Sequence, residues 1–329
     1  MSTAPFPIFD LSRFEAADPA GKAILGQEVD HICRETGFLA ISGHGVPQET
    51  IDRAWTAARA FFDLPAEEKL RSKAPYPGYP YGYLGPELEA LAKSRGEDTP
   101  PDLKESFNGG PLAVPDGLDD EQALAFCYAQ TIWPDAPEGF RDAWTDYYRA
   151  MEDLAARIMR VFAVALTLPE DAFAPTIDKP ISALRALNYP KQAVVPKPGQ
   201  LRAGAHTDYG SLTILLPQTG SGGLQILDPA GNWVDVPPVP GAFVINIGDL
   251  MARWTNDRWV STLHRVVNPT GEAARARRQS FAFFHQPNSD QEIVCLPTCL
   301  GEGEAPKYEP VLSGPYLMSK FQSTVKPAA

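Results

Sequence analysis

Through the first 180 positions, apolar residues recur mainly at three- and four-residue intervals, the period of helices with one buried face. Asp18 and Pro19 form an N-cap and first-turn pair; Leu25, Val29, Ile32 and Cys33 follow as a stripe, and Gly37 stops the run. A second helix is predicted after Pro47, with Ile51, Trp55, Ala58 and Phe62 on one face. The longest should start near Gly139, because Phe140, Trp144, Tyr147, Met151, Leu154, Ile158, Val161 and Ala165 keep the period for about seven turns before Pro169. Phe38–Ser42, short, apolar and bounded by glycines, reads as a strand.

From about Ile181 the pattern changes to short β-rich runs separated by Gly, Pro, Asn and Asp: 184–189, 211–216, 223–227, 242–247, 262–267 and 280–285. Strands so spaced predict an antiparallel sandwich or barrel. Asp228-Pro229-Ala230-Gly231-Asn232 is a turn signal joining two of them. The expected fold class is α+β: a mainly helical region over 1–180 packed on a β core over 181–300, followed by a C-terminal helix or tail over 301–329. Neither an internal repeat nor a linker-like composition break interrupts this plan.

The composition is that of a folded globule, with 44% hydrophobic and 21% charged residues in 329. The 29 basic and 41 acidic residues leave a net charge of −12. That balance repels phosphate backbones and anionic lipid, so neither a nucleic acid nor a membrane is an expected partner. Cys33, Cys127, Cys295 and Cys299 form no C-x-x-C pair, which points to reduced thiols in a cytoplasmic protein. No run of 18 apolar residues occurs, and residues 1–10 carry neither a basic region nor a signal-length apolar stretch.

Candidate chemistry centres on His206, one of five histidines, in Gly204-Ala205-His206-Thr207-Asp208. In an extended segment residues i and i+2 project to one side, so imidazole and carboxylate could share a cation. His264, in a later predicted strand, is the candidate third ligand. Two imidazoles and a carboxylate suit non-haem Fe(II) and leave positions open for O2 and an organic chelator, although zinc accepts similar ligands. Arg278 and Ser280 repeat the i, i+2 spacing and form a fork for a carboxylate. No catalytic side chain beyond the metal ligands is singled out.

Taken in order, these residues resemble the Fe(II)- and 2-oxoglutarate-dependent dioxygenases of the isopenicillin N synthase-like family. Pro7-Ile8-Phe9-Asp10-Leu11 is similar to the family's opening strand, and the segment from Gly37-Phe38 to His44-Gly45-Val46-Pro47 to its glycine-phenylalanine to histidine-glycine stretch. Phe61-Phe62-Asp63-Leu64-Pro65 matches a helix end, and His206-x-Asp208, His264-Arg265-Val266 and Arg278-x-Ser280 match the catalytic half. The resemblance implies a distorted double-stranded β-helix, or jelly roll, holding the iron inside, flanked by helices. It implies that Arg278 and Ser280 hold the distal carboxylate of 2-oxoglutarate, with Tyr189 as a further contact. The chain departs from the family's Asn-x-Tyr-Pro pattern, having Asn188-Tyr189-Pro190, so Asn188 does not carry over cleanly.

The expected activity is oxidation of a small organic molecule with release of succinate and CO2. Two alternatives are an iron-dependent oxidase that does without 2-oxoglutarate and a non-catalytic jelly-roll binding protein. His31 is expected in solvent, His44 in a structural turn and His285 packed in the strand. The acidic stretch 102–105 resembles a segment near the site's mouth, yet reads more simply as a solvated strand edge. The substrate pocket is expected to draw on the N-terminal helices, on 76–84 and on the segment around 308–321; the sequence leaves the oligomeric state open.

Overall fold

The computed structural model describes residues 6–97, 99–192 and 195–324, with the side chains of 272 and 273 also outside the description. Helices α1 (Leu11–Ala16), α2 (Pro19–Glu35), α3 (Gln48–Asp63), α4 (Ala66–Leu70), α5 (Glu121–Ala125) and α6 (Phe140–Ala165) belong to the first half of the chain, and α7 (Asp249–Trp254) and α8 (Ser313–Thr324) to the second. The three long helices lie where the apolar stripes put them. Asp18 caps α2 by accepting from the Gly21 N–H at 2.8 Å. Gly37 ends it at φ +62°, where a Cβ would meet the Val260 carbonyl oxygen at 2.1 Å, so only glycine fits.

Strands β1 (Ile8–Asp10), β2 (Phe38–Ser42), β3 (Gly82–Leu84), β4 (Glu105–Gly109), β5 (Ala183–Tyr189), β6 (Ala203–His206), β7 (Leu212–Pro217), β8 (Leu224–Leu227), β9 (Trp233–Asp235), β10 (Phe243–Ile247), β11 (His264–Val266) and β12 (Arg278–His285) build two facing sheets. The larger runs β1-β2-β10-β7-β12-β5-β4-β3 and the smaller β6-β11-β8-β9. A two-stranded ribbon, β13 (Glu292–Ile293) and β14 (Val311–Leu312), precedes α8. The two facing sheets are the expected jelly roll, in an α+β chain. Strand β12 begins two residues earlier than its apolar run, at Arg278, because β5 pairs with it as far as Arg278↔Tyr189.

Strands β3 and β4 are not legible as strands, since Gly-Tyr-Leu and Glu-Ser-Phe-Asn-Gly show no apolar alternation; pairing of β4 with β5, and of β3 with β4, makes them strands. This corrects the reading of 102–105 as a solvated edge. Asp102, Lys104 and Glu105 are all buried, because β4 extends the sheet and their charges are paired inside it. Residues 325–329 of the expected C-terminal segment lie outside the described residues. No helix among the described residues is long and apolar enough to cross a membrane.

The sheet's alternation separates two cores. On its outer face Phe281 packs against Trp144 and Tyr147 of α6, and Phe283 against Tyr148. On its inner face Arg278, Ser280, Ala282 and Phe284 line a cavity closed on the other side by Leu224, His264 and Val266 of the smaller sheet. The outer core is aromatic-rich. Phe107, fully buried, meets Phe61, Phe140 and Trp144 at ring-centroid distances of 5.0–5.3 Å. Phe107→Ala is therefore expected to cost about 3–5 kcal/mol, read as a shift in the urea midpoint; a change under about 1 kcal/mol, the range of volume-conserving swaps, would contradict this packing.

Candidate active site

Strands β6 and β11 pair antiparallel with His206 directly opposite His264, which brings the imidazoles to 4.3 Å between ring centroids. After His206 the chain leaves the sheet, and the Asp208 carbonyl accepts from the Asp249 N–H at 2.7 Å, anchoring the turn to the start of α7. Asp208 Oδ1 then lies 3.8 Å from Nε2 of each histidine. The three candidate ligand atoms fall within 4.8 Å of one another.

The orientation of each group follows from its other polar atom. Nδ1 of His206 is 2.7 Å from the Gly204 carbonyl and Nδ1 of His264 is 3.1 Å from the Thr262 carbonyl. A carbonyl only accepts, so each Nδ1 carries the proton and each Nε2 turns a lone pair toward the shared centre. Asp208 Oδ2 accepts from Thr213 Oγ1 at 2.6 Å and Asn246 Nδ2 at 2.7 Å, which leaves Oδ1 free. Burial, and then the neighbouring His264, push His206 well below its ordinary pKa, so it is neutral. Burial alone would raise Asp208, but its neighbours, the hydrogen bonds from Thr213 and Asn246 among them, hold its carboxyl below the usual carboxylate range. Two imidazoles and one carboxylate are a donor set that fits Fe(II).

Sequence reasoning missed Thr213 and Asn246. A signal existed for Asn246, the lone polar residue in the fully buried run Phe243–Ile247. It marks a side chain that must find a polar partner.

Arg278 and Ser280 share the inner face of β12, with Nη1 3.4 Å from Oγ. Tyr189 is the register partner of Arg278 in β5, and the guanidinium lies 4.9 Å from its ring centroid. Arg278 is 3% exposed. Among the described residues no carboxylate pairs with it, and its Nε has no partner. A buried guanidinium with an orphaned N–H fits the carboxylate of a ligand. Asn188 points the other way: its side chain bonds Glu105 at 2.6 Å and Arg277 on the outer face.

Beside the triad, Lys104 Nζ lies 2.8 Å from Asp102 and 2.9 Å from Glu89, and Arg185 Nη1 lies 3.1 Å from both Glu89 oxygens. Burial would raise Glu89, yet Arg185 and Lys104 hold it down to about 2. Pro80 and Tyr81 line the cavity from the 76–84 stretch, and Leu317 and Phe321 from α8. Tyr76 and Tyr308 are exposed, the latter donating to Asp257.

The sequence matches the 2OG-Fe(II) oxygenase superfamily over residues 180–287 and the N-terminal family of non-haem dioxygenases in morphine synthesis over residues 6–136. This chain belongs to the 2OG-Fe(II) oxygenase superfamily. It is 38% identical to the 2-oxoglutarate-Fe(II) type oxidoreductase hxnY of Emericella nidulans, over 94% of this chain and 87% of that one. Validamycin A dioxygenase of Streptomyces hygroscopicus subsp. limoneus is 33% identical over 92% and 82%. Among solved structures, a full-length Neurospora crassa protein in complex with alpha-KG and thymine superposes at a TM-score of 0.84, with 30% identity and 96% of each chain covered. The protein is an Fe(II)- and 2-oxoglutarate-dependent oxygenase, and its cofactors are those read from the sequence.

The remaining histidines of this oxygenase stand outside the triad. Nδ1 of His44 accepts from the Val46 N–H at 3.1 Å within a turn, and His31 is exposed. His285 is buried with Nδ1 2.7 Å from Ser211 Oγ, and burial pushes its pKa down to about 3. Its folded pKa is thus below its unfolded one, so the unfolded chain binds the extra proton. The stability this neutral histidine contributes is complete above about pH 6.5 and is lost as pH falls toward 3, at up to about 1.4 kcal/mol per pH unit. His285→Gln should flatten the wild-type dependence across that window in urea melts; an unchanged slope would contradict the assignment.

Proposed function

We propose that His206, Asp208 and His264 ligate the iron of this oxygenase, and that Arg278 and Ser280, beside Tyr189, bind the distal carboxylate of 2-oxoglutarate. The carrying observation is the Arg278 guanidinium, its Nε without a partner, on the lining of the cavity that also holds the triad. When bound, the iron and 2-oxoglutarate supply O2 activation, with succinate and CO2 as co-products. The chain's own part is positional. Gly204 and Thr262 fix the imidazoles, Thr213 and Asn246 fix the carboxylate, and the apolar wall from Phe38, Leu187 and Val266 excludes water. Residues 181–300 would form the catalytic core, 1–180 the helical region packed on it, and 301–329 a segment near the mouth.

The substrate of this reading is a small organic molecule free in the cytosol. The Neurospora structures hold thymine or 5-formyluracil, and the name of the Streptomyces relative specifies validamycin A. A cavity set between the two sheets and a net charge of −12 both disfavour a nucleic acid polymer or an anionic membrane. The test is succinate formation and O2 consumption with Fe(II), 2-oxoglutarate and a metabolite library. Both should require Fe(II), cease with chelator and return on adding iron. Turnover with O2 but without 2-oxoglutarate would favour an oxidase instead, and strong stimulation only by DNA, RNA or peptides would overturn the small-molecule reading.

A further inference from the structure

The cavity has two chemically different ends. Gln286 lies eight residues beyond Arg278, one past the end of β12, roughly 26 Å along an extended backbone. The triad lies near the Gln286 end, because Thr213, which holds Asp208, is the register partner of Phe284. The fork therefore serves one side of the metal centre, and Gln286 lies at the other side.

At that other side, and midway along the inner face, where Asn108 is in register with Arg185 and through it with Ala282, the polar groups are unspent. Gln286 and Asn108 are 2% and 7% exposed, and both line the cavity. Oε1 of Gln286 and Oδ1 of Asn108 are buried without partners, and among the described residues neither carboxamide nitrogen donates a hydrogen bond either. Whichever way each amide is turned, one of its polar ends faces the cavity unmatched. Tyr209, whose buried hydroxyl lies beside Ser94, is on the same lining. Leaving such groups unpaired is unfavourable, and a matching ligand removes that penalty.

The charges nearby are spent. Glu89, Lys104 and Arg185 line the cavity but are bound to one another and to Asp102, two acids against two bases. An ammonium or carboxylate substrate would find no free counter-charge at this end.

We infer that Asn108 and Gln286, with Tyr209, recognise the primary substrate, and that it is an uncharged molecule presenting an amide, lactam or imide edge. A carboxamide offers a donor and an acceptor side by side, and a neighbouring N–H and C=O on the substrate match both at once. Such a site rejects analogues lacking those groups far more strongly than an apolar pocket would. The inference rests on the proposed function for the position of the metal, but its test does not.

Calorimetry on the metal-free protein should rank 2-pyridone, succinimide and hydantoin above benzylamine, and, in Arg278→Ala, where the carboxylate fork is gone, above benzoate as well. Asn108→Leu and Gln286→Leu should each weaken the best lactam or imide at least tenfold. Gln286→Glu, which keeps the volume, should lose the imide and gain benzamidine, an outcome misfolding would not produce. Benzylamine binding tightest to the wild type, benzoate binding tightest to Arg278→Ala, or imide affinity unchanged in the three carboxamide variants would overturn the inference. Failure of 2-oxoglutarate to bind the iron-loaded wild type would count against the proposed function alone.

Discussion

His264→Ala is expected to abolish Fe(II)-dependent succinate release while leaving the fold in place. The ring lies on the cavity side of β11, its Nε2 3.8 Å from Asp208, and its packing partner is Phe38 at 5.4 Å. Alanine removes one of three ligand atoms and leaves the strand pairing to β6 and β8 intact. A graded comparison sharpens the test. Asn246→Ala removes only a hydrogen bond to the far oxygen of Asp208, and should cost roughly 10–100-fold in metal affinity. His264→Ala should exceed that, in Fe(II) titration as well as in turnover. Full activity in His264→Ala would sink the ligand assignment, and equal losses in the two variants would mean that Asn246 itself ligates.

The second large effect is on the co-substrate. Arg278→Ala should weaken 2-oxoglutarate by about 2–5 kcal/mol, roughly 30-fold to several thousand-fold, because the ligand's carboxylate would then be buried without its charge partner. Arg278→Lys should recover only part of this, since one ammonium cannot reproduce two parallel N–H donors beside Tyr189. Titration of 2-oxoglutarate under anaerobic Fe(II) reads the constant directly. Unchanged affinity in Arg278→Ala would contradict the fork.

Much of this was legible from local pattern. The stripe ending at Gly37, the long helix after Gly139 and the i, i+2 pairs His206/Asp208 and Arg278/Ser280 depend only on period and residue chemistry. What the pattern could not show was pairing across distance. Strand β4 has no alternation of its own, so Asp102, Lys104 and Glu105 read as solvated until β5 is laid beside them. The same holds for Asn246 and Thr213, whose role exists only because β10 and β7 bring them under Asp208.

The boundary between sequence and structure is clearest at Asn188-Tyr189. Adjacent residues of a strand face opposite sides, so one of the two had to point into the cavity and the other away from it. The sequence determined that alternation, together with the ligand types, their order and the α+β plan, because each depends on a residue and its near neighbours. Tertiary structure decided the direction. Register between β5 and β12 sets Tyr189 beside Arg278 and turns Asn188 to Glu105 on the outer face. It also decided that Glu89, Lys104, Asp102 and Arg185 cancel one another while Arg278, Asn108 and Gln286 stay unmatched, because burial and pairing depend on groups far apart in the chain.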